Sequence, residues 1–459
     1  MTLSRTTLAL GLLALGGLLA GIVALTGPAA SDGVAAKKKR IKPKTVLVSR
    51  RSAKQGGAAG NATSEFPKVS ASGRYVAFTS QATNLGGGPT SDNAYLYDRK
   101  RKRLRFIARA NGPGRAAAND DSRVEALSAN GRFVAFSTAA TNLGGPITPG
   151  VLNVYLYDRK RGRIELVSRA SRSGPGGDGH SFDASISGGG RYVAFASDAD
   201  NFGGPIDTGV LNVYVYDRKR KRVRLVSRAG GSGPGGDDDS ARPSISAGGR
   251  QVAFETEADN LGGPLDIGVQ NIYVYDLERR RVALVSRRSR AAGGGGGDAE
   301  SRGASISGGG RFVAFRSDAD NLGGPAADVP NIYVYDRKRR RVQLVSRRSG
   351  KLGAGADAVS YTPAVSGDGR FIAFDTEATN LGGGATALQN IYVYDRRRKR
   401  VELASRRTGR RGPAADQNSL NPDLSPSGRF VAFTSQANNL SPAAPGFPFS
   451  SAYLRDRGR

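Results

Sequence analysis

Cysteine is absent from this chain, and so is tryptophan; histidine occurs once, as His180. Without cysteine there can be no disulfide framework, no thiolate nucleophile and no thiolate zinc site. A lone histidine excludes a site built from clustered imidazoles. Acidic residues are in short supply: 39 Asp and Glu stand against 69 Lys and Arg, a formal net charge of +30. An excess of that size favours anionic partners, such as nucleic acid, acidic polysaccharide, a teichoic-type polymer or anionic lipid, and carries no information about fold.

Long apolar runs are missing after residue 36. The one such run, about Leu8 to Leu25, follows Arg5, and Val34 and Ala36 fit the small-residue positions of a cleavage site. Residues 1–36 therefore read as a signal peptide or N-terminal membrane anchor, and 37–44 ("KKKRIKPK") as a basic linker. Export is expected, with the protein extracellular, periplasmic or held at the outer side of the cytoplasmic membrane. The linker argues the other way through the positive-inside rule, but long domains cross membranes regardless of local charge.

What is present is a repeat. The string Gly-Arg-aromatic-Val/Ile-Ala-Phe begins at Gly73, Gly131, Gly190, Gly310, Gly369 and Gly428, and a seventh copy at Gly249 has Gln251 in the aromatic place. Successive copies lie 58 to 61 residues apart. Each unit reads as four short β segments: a run such as "ASIS" (304–307), then "RFVAF", "NIYVYD" and "VQLVSR", with turn residues between them. "RFVAF" is apolar on both faces, so it must be covered on both faces. Four-stranded sheets stacked around an axis satisfy that requirement, and seven such units predict an all-β, seven-bladed β-propeller of four-stranded antiparallel blades over residues 45–459.

The chain ends support closure. The last unit stops at "AYLRDRGR" (452–459), one strand short, while "TVLVSR" (45–50) stands alone before the first unit. The N-terminal strand is predicted to complete the C-terminal blade, which removes two free edges.

"SISGGGRFVAFRSDADNLGG…NIYVYDRKRRRVQLVSR" is similar to the WD-like propeller repeat of TolB-type bacterial proteins. The resemblance spans residues 45–459 and implies the propeller fold, export and a role as a binding scaffold. Two departures stand out. The amino-terminal domain of TolB itself is not evident, and the glycine-containing hairpin turn after the Asp is largely replaced by Lys and Arg.

Those basic turns hold 29 of the 69 Lys and Arg residues. Antiparallel order puts the turns after the first and third strands on one face of the disc. The candidate anion-binding residues there are Arg99, Lys100 and Arg101; Arg159 and Lys160; Arg218 and Lys219; Arg279 and Arg280; Arg337, Lys338 and Arg339; and Arg396, Arg397 and Arg398. The arginines of the Gly-Arg turns are expected to add charge to the same face. The competing reading is that charged turns only solvate the disc and block edge pairing. The opposite face should carry Gly- and Asp-rich loops.

Other motifs read as architecture. Asp/Asn-x-x-Ser precedes every first strand, from Asn61/Ser64 to Asp416/Ser419, and should accept backbone N–H groups at the blade entry. Ala-x-Asn-Leu/Phe recurs at Asn84 and its six equivalents, with the apolar residue plugging a loop into the core. Acids concentrate in the loops of units three to five. Asp198, Asp200, Asp207, Asp318, Asp320 and Asp328 are weak calcium candidates, since the ligand type fits but the spacing matches no known calcium loop. No cofactor is otherwise expected.

Catalysis has little support. His180 beside Ser181 and Asp183 is not a triad by sequence adjacency, and no Gly-x-Ser-x-Gly elbow occurs. The function expected is that of an exported, monomeric, non-enzymatic scaffold with a protein partner. The alternatives are an anionic polymer or membrane held by the basic rim, or a hydrolase with a carboxylate site near the central channel. Nucleic acid is disfavoured because aromatics do not interleave with the basic turns. Residues 1–36 are the expected membrane contact.

Overall fold

A computed structural model describes residues 41–172, 174–204, 206–263, 268–324, 329–384 and 387–458. The predicted signal or anchor segment, residues 1–36, and residues 37–40 of the linker lie outside them. Among the described residues no helix is long and apolar enough to cross a membrane.

Seven four-stranded antiparallel sheets form a ring of blades. Blade one comprises Ser64–Val69, Tyr75–Ser80, Asn93–Asp98 and Arg103–Phe106; this order recurs in blades two to six, and blade seven has the first three strands in the same order. The first strands pack against one another around the axis, and the later strands lie progressively outward. The second and third strands are buried along nearly their whole length, as the doubly apolar "RFVAF" and "NIYVYD" patterns require.

Within each blade a Phe on the second strand stacks on a Tyr directly across the ladder. The seven pairs run from Phe78–Tyr95, at 5.6 Å between ring centroids, to Phe433–Tyr453 at 5.7 Å. Cross-strand aromatic pairs of this kind fix register and contribute about 0.5–1.5 kcal/mol beyond their area burial.

The ring closes as the sequence predicts, with slightly different bounds. The N-terminal strand is Lys44–Leu47 and pairs with the third strand of blade seven, Ser451–Asp456, Leu47 opposite Tyr453 and Thr45 opposite Arg455. Beyond Leu47 the chain leaves the ladder, though the Val48 N–H still donates to the Ala452 carbonyl. Lys44, assigned to the linker from sequence, is thus the first residue of this clasp. Arg455 is fully buried behind it and donates to Thr45 Oγ1 and to the carbonyls of Arg406, Arg407 and Gly409. Burial pulls its pKa down to about 10, so it stays charged at neutral pH.

The recurrent entry motif does accept backbone N–H groups, but from a different segment than expected. Asp178 Oδ1 receives the N–H groups of Asp200 and Asn201, in the loop after the second strand. Asn201 returns the bond by donating to the Gly176 carbonyl. The motif serine pairs with the hydroxyl ending the second strand, as in Ser181–Ser197 at 2.9 Å. Each unit therefore ties its entry loop to its own second-to-third loop. His180 belongs to this scheme: its Nδ1 accepts the Leu152 N–H, as Asp239 Oδ1 accepts that of Leu211 one blade later.

Candidate functional site: the turn face and the central channel

The arginines of the Gly-Arg turns do not add free charge. All seven pair with the Asp ending the third strand of their own blade, as in Arg132–Asp158 at 2.6 Å and Arg370–Asp395 at 2.8 Å. Burial pushes the Asp158 carboxyl up, but hydrogen bonds from Arg132 and the turn N–H groups outweigh it and leave the pKa below its ordinary value.

In six of the seven blades the residue after the strand-ending Asp is an Arg that clamps one blade to the next. Arg218 of blade three lies 4.2 Å from the ring centroid of Phe133 in blade two and donates to the Gly190 carbonyl. Arg132 also lies over that ring, at 4.7 Å. Gly190 packs so closely on Phe133 that a Cβ there would sit 2.1 Å from the ring, and its φ of +76° would strain any other residue. The same pairing of one ring with two guanidiniums recurs with Arg159 and Arg74 on Tyr75, Arg396 and Arg311 on Phe312, Arg457 and Arg370 on Phe371, and Arg99 and Arg429 on Phe430. Arg337 takes the equivalent place with Gln251 in the ring position and donates to the Gly310 carbonyl. Burial lowers the pKa values of Arg99, Arg337 and Arg396.

Arg396→Ala should therefore lower the stability of the ring by about 2 kcal/mol, through loss of a largely desolvated cation–π contact and the bond to Gly369 O. Arg398→Ala, two residues along and exposed, should stay within about 0.5 kcal/mol. Urea unfolding midpoints compare the two, and equal effects would remove the clamp from the account.

Ten candidate residues remain exposed: Lys100, Arg101, Lys160, Lys219, Arg279, Arg280, Lys338, Arg339, Arg397 and Arg398. One further position in the turns is telling. The fourth residue after the strand-ending Asp adopts positive φ: Gly162 in blade two, but Lys102 (φ 49°), Lys221 (54°), Arg280 (52°), Arg340 (50°) and Lys399 (50°) elsewhere. A left-handed conformation costs a non-glycine residue about 1 kcal/mol.

The central channel is the second concentration of chemistry; sequence reading offered a carboxylate site near it as an alternative but named none of its residues. First strands of all seven blades line it. Their side chains differ at positions where the rest of the repeat is uniform, and that variability was the available signal. Lys68, Glu125, Asp183, Arg242 and Asp423 all face it. Most first strands bulge at their middle, and Phe66, Asp183, Arg242 and Asn421 occupy the bulge with positive φ. Arg242 reaches Glu255 at 3.2 Å, whose other oxygen accepts the Gly303 N–H of blade five. Asp423 accepts the Val69 N–H across the blade seven–blade one seam.

Glu125 and Asp423 are enclosed by protein on almost every side yet keep some surface open to the channel. Burial raises the Glu125 carboxyl to about 7, against the hydrogen bond it accepts from Ser137, with Asp183 pushing the same way. Burial also raises Asp423, opposed by Lys68, and Asp183, opposed by Arg242. Asp375, beneath the blade six inner strand, is raised by burial to about 6. The channel wall thus holds three carboxyls raised by burial, Glu125 to about 7, beside the two cations Lys68 and Arg242.

The calcium candidates lie in the loops after the second strands. The backbone N–H groups of Asp200 and Asp320 are held by Asp178 and Asp298, Asp318 meets Arg316 at 3.4 Å, Asp198 and Asp207 stay in loops, and Asp328 lies outside the described residues. Among the described residues no group of three or more potential ligands is gathered to hold a metal.

No family model and no curated protein matches the chain. Solved structures do match. They include TolB from Acinetobacter baumannii (13% identity, TM-score 0.41, 80% of this chain and 67% of that one). A putative TolB from Agrobacterium tumefaciens matches at 13% identity and a TM-score of 0.41, over 79% of this chain and 97% of that one. An oligogalacturonate lyase in complex with manganese matches at 11% identity and a TM-score of 0.50, over 91% of this chain and 98% of that one. At identities of 11 to 13% the likeness bears on fold alone, and the seven blades of this β-propeller are read from the strand topology of the chain itself.

Proposed function

We propose that this chain is an exported, non-enzymatic binding scaffold that holds an anionic polymer against the face bearing the basic turns. The observation that carries the reading is the retention of Lys and Arg at left-handed turn positions. Lys102, Arg280, Arg340 and Lys399 are exposed, and glycine would be less strained at each. Charge kept at a backbone cost in four blades argues for use of the charge. Export is supported by the apolar run that follows Arg5. A protein partner on the Gly- and Asp-rich opposite face is the other outcome.

The test exploits the same strain. Replacing Lys102, Arg340 and Lys399 together by Gly should leave stability unchanged or raise it by about 1 kcal/mol per site. Heparin affinity, measured by titration across salt, should fall, and the slope of log K against log salt should shrink by up to about one unit for each cation removed from the polymer. Unchanged heparin binding by a stable triple variant would end the polymer reading.

A further inference from the structure

One seam breaks the clamp pattern. In blade four the residue after the strand-ending Asp276 is Leu277, where every other blade has Arg. At the seam between blades three and four Leu277 and Tyr192 pack against the same core cluster, and among the described residues the Tyr192 ring has Arg191 over it, at 4.7 Å, and no second guanidinium. Tyr192 is only half-buried, whereas Tyr75, Phe133, Phe312, Phe371 and Phe430 in the same position are buried. The Gly249 carbonyl loses the donor that its counterparts in blades three, five, six and seven receive.

A cavity of about 570 Å³ opens there. Its floor is apolar, formed by Tyr192, Val215, Val223 and Leu277. Its carboxylates are already paired, Asp217 with Arg191 and Glu278 with Arg250. Arg220, Arg222, Arg224 and Arg280 also line it, and among the described residues none of the four has an ion-pair partner. At the preceding seam the residue equivalent to Arg224 is Glu165, which neutralises Arg218 and Lys221. The cavity is therefore apolar below and cationic around its rim, and its volume suits a small molecule.

We propose that the seam between blades three and four is a binding site for a small organic anion, a carboxylate carried on an apolar body of one or two rings. The ring system lies on Tyr192 and Leu277, and the carboxylate meets the guanidiniums of Arg224 and Arg280. This does not rest on the polymer reading, because Leu277 in place of Arg occurs at one seam and the basic turns at all of them.

The experiment titrates the full chain with 1-naphthoate, following the probe's own fluorescence, which no tryptophan obscures. Saturable binding is expected, with the neutral analogue 1-naphthylmethanol at least ten-fold weaker. Leu277→Arg, which rebuilds the clamp, should weaken naphthoate at least ten-fold while heparin binding is retained. Arg224→Glu, on the exposed wall, should weaken it similarly and decides the matter if Leu277→Arg does not fold. Equal binding of acid and alcohol, or naphthoate binding by either folded variant as in the parent, overturns the proposal.

Discussion

A chain lacking residues 41–50 should lose the closed ring. The deletion removes Leu47 and Val48, both buried, together with the ladder to Ser451–Asp456 and the Thr45 partner of buried Arg455. Two buried aliphatic side chains and about half a dozen backbone hydrogen bonds amount to some 5–10 kcal/mol, comparable to the whole stability of a typical domain. The third strand of blade seven would become an open edge, a template for pairing with another chain. Size-exclusion chromatography should show aggregates or exchanged oligomers, and a peptide of residues 41–50 added in trans should recover the monomer. A truncated chain that stays monomeric, with an unaltered urea midpoint, would show that the clasp does not close the molecule.

Glu125→Gln should make stability less dependent on pH. A carboxyl whose folded pKa is raised, here from 4.5 to about 7, binds its proton more tightly in the folded state. Its contribution is complete below pH 4.5, where both states are protonated. It falls as pH rises and is lost once pH passes 7. Glutamine keeps the neutral form at all pH values. The variant should match the parent near pH 4 and exceed it by about 2 kcal/mol at pH 8, allowing for the water that reaches the channel. Asp375 and Asp183 act in the same direction and remain in both proteins, so the comparison isolates one group. Urea unfolding at pH 4, 5.5, 7 and 8 measures it. A gap that stays constant across that range would mean Glu125 titrates as an ordinary carboxyl.

The architecture was open to reading because its determinants are local and repeated. Gly73 and its six equivalents mark a turn whose φ only glycine adopts freely, and the Phe five residues on and the Tyr 17 to 20 residues beyond it form the stacked pair of each blade. The clasp was legible from a strand missing at one end and spare at the other. Charge was not legible in the same way. A count of Lys and Arg has no direction, so Arg132, paired with Asp158, and Arg218, folded onto Phe133, looked the same as exposed Lys219. The acceptor role of His180 was hidden because its counterpart in the next blade is an aspartate, Asp239. The residues of the channel were hidden for the opposite reason. Aligning units emphasises what recurs, and Glu125, Asp183 and Asp423 occur at positions where the units disagree.

The clasp also sets an order of events in biosynthesis. Thr45 and Arg455, which meet in the finished blade, are 410 residues apart along the chain. A ribosome makes the first long before the second, so no nascent intermediate can close the circle, however many blades have already emerged. Closure waits until Ser451–Asp456 has been made, and a chain stopped before that strand would be left with an unpaired leading strand.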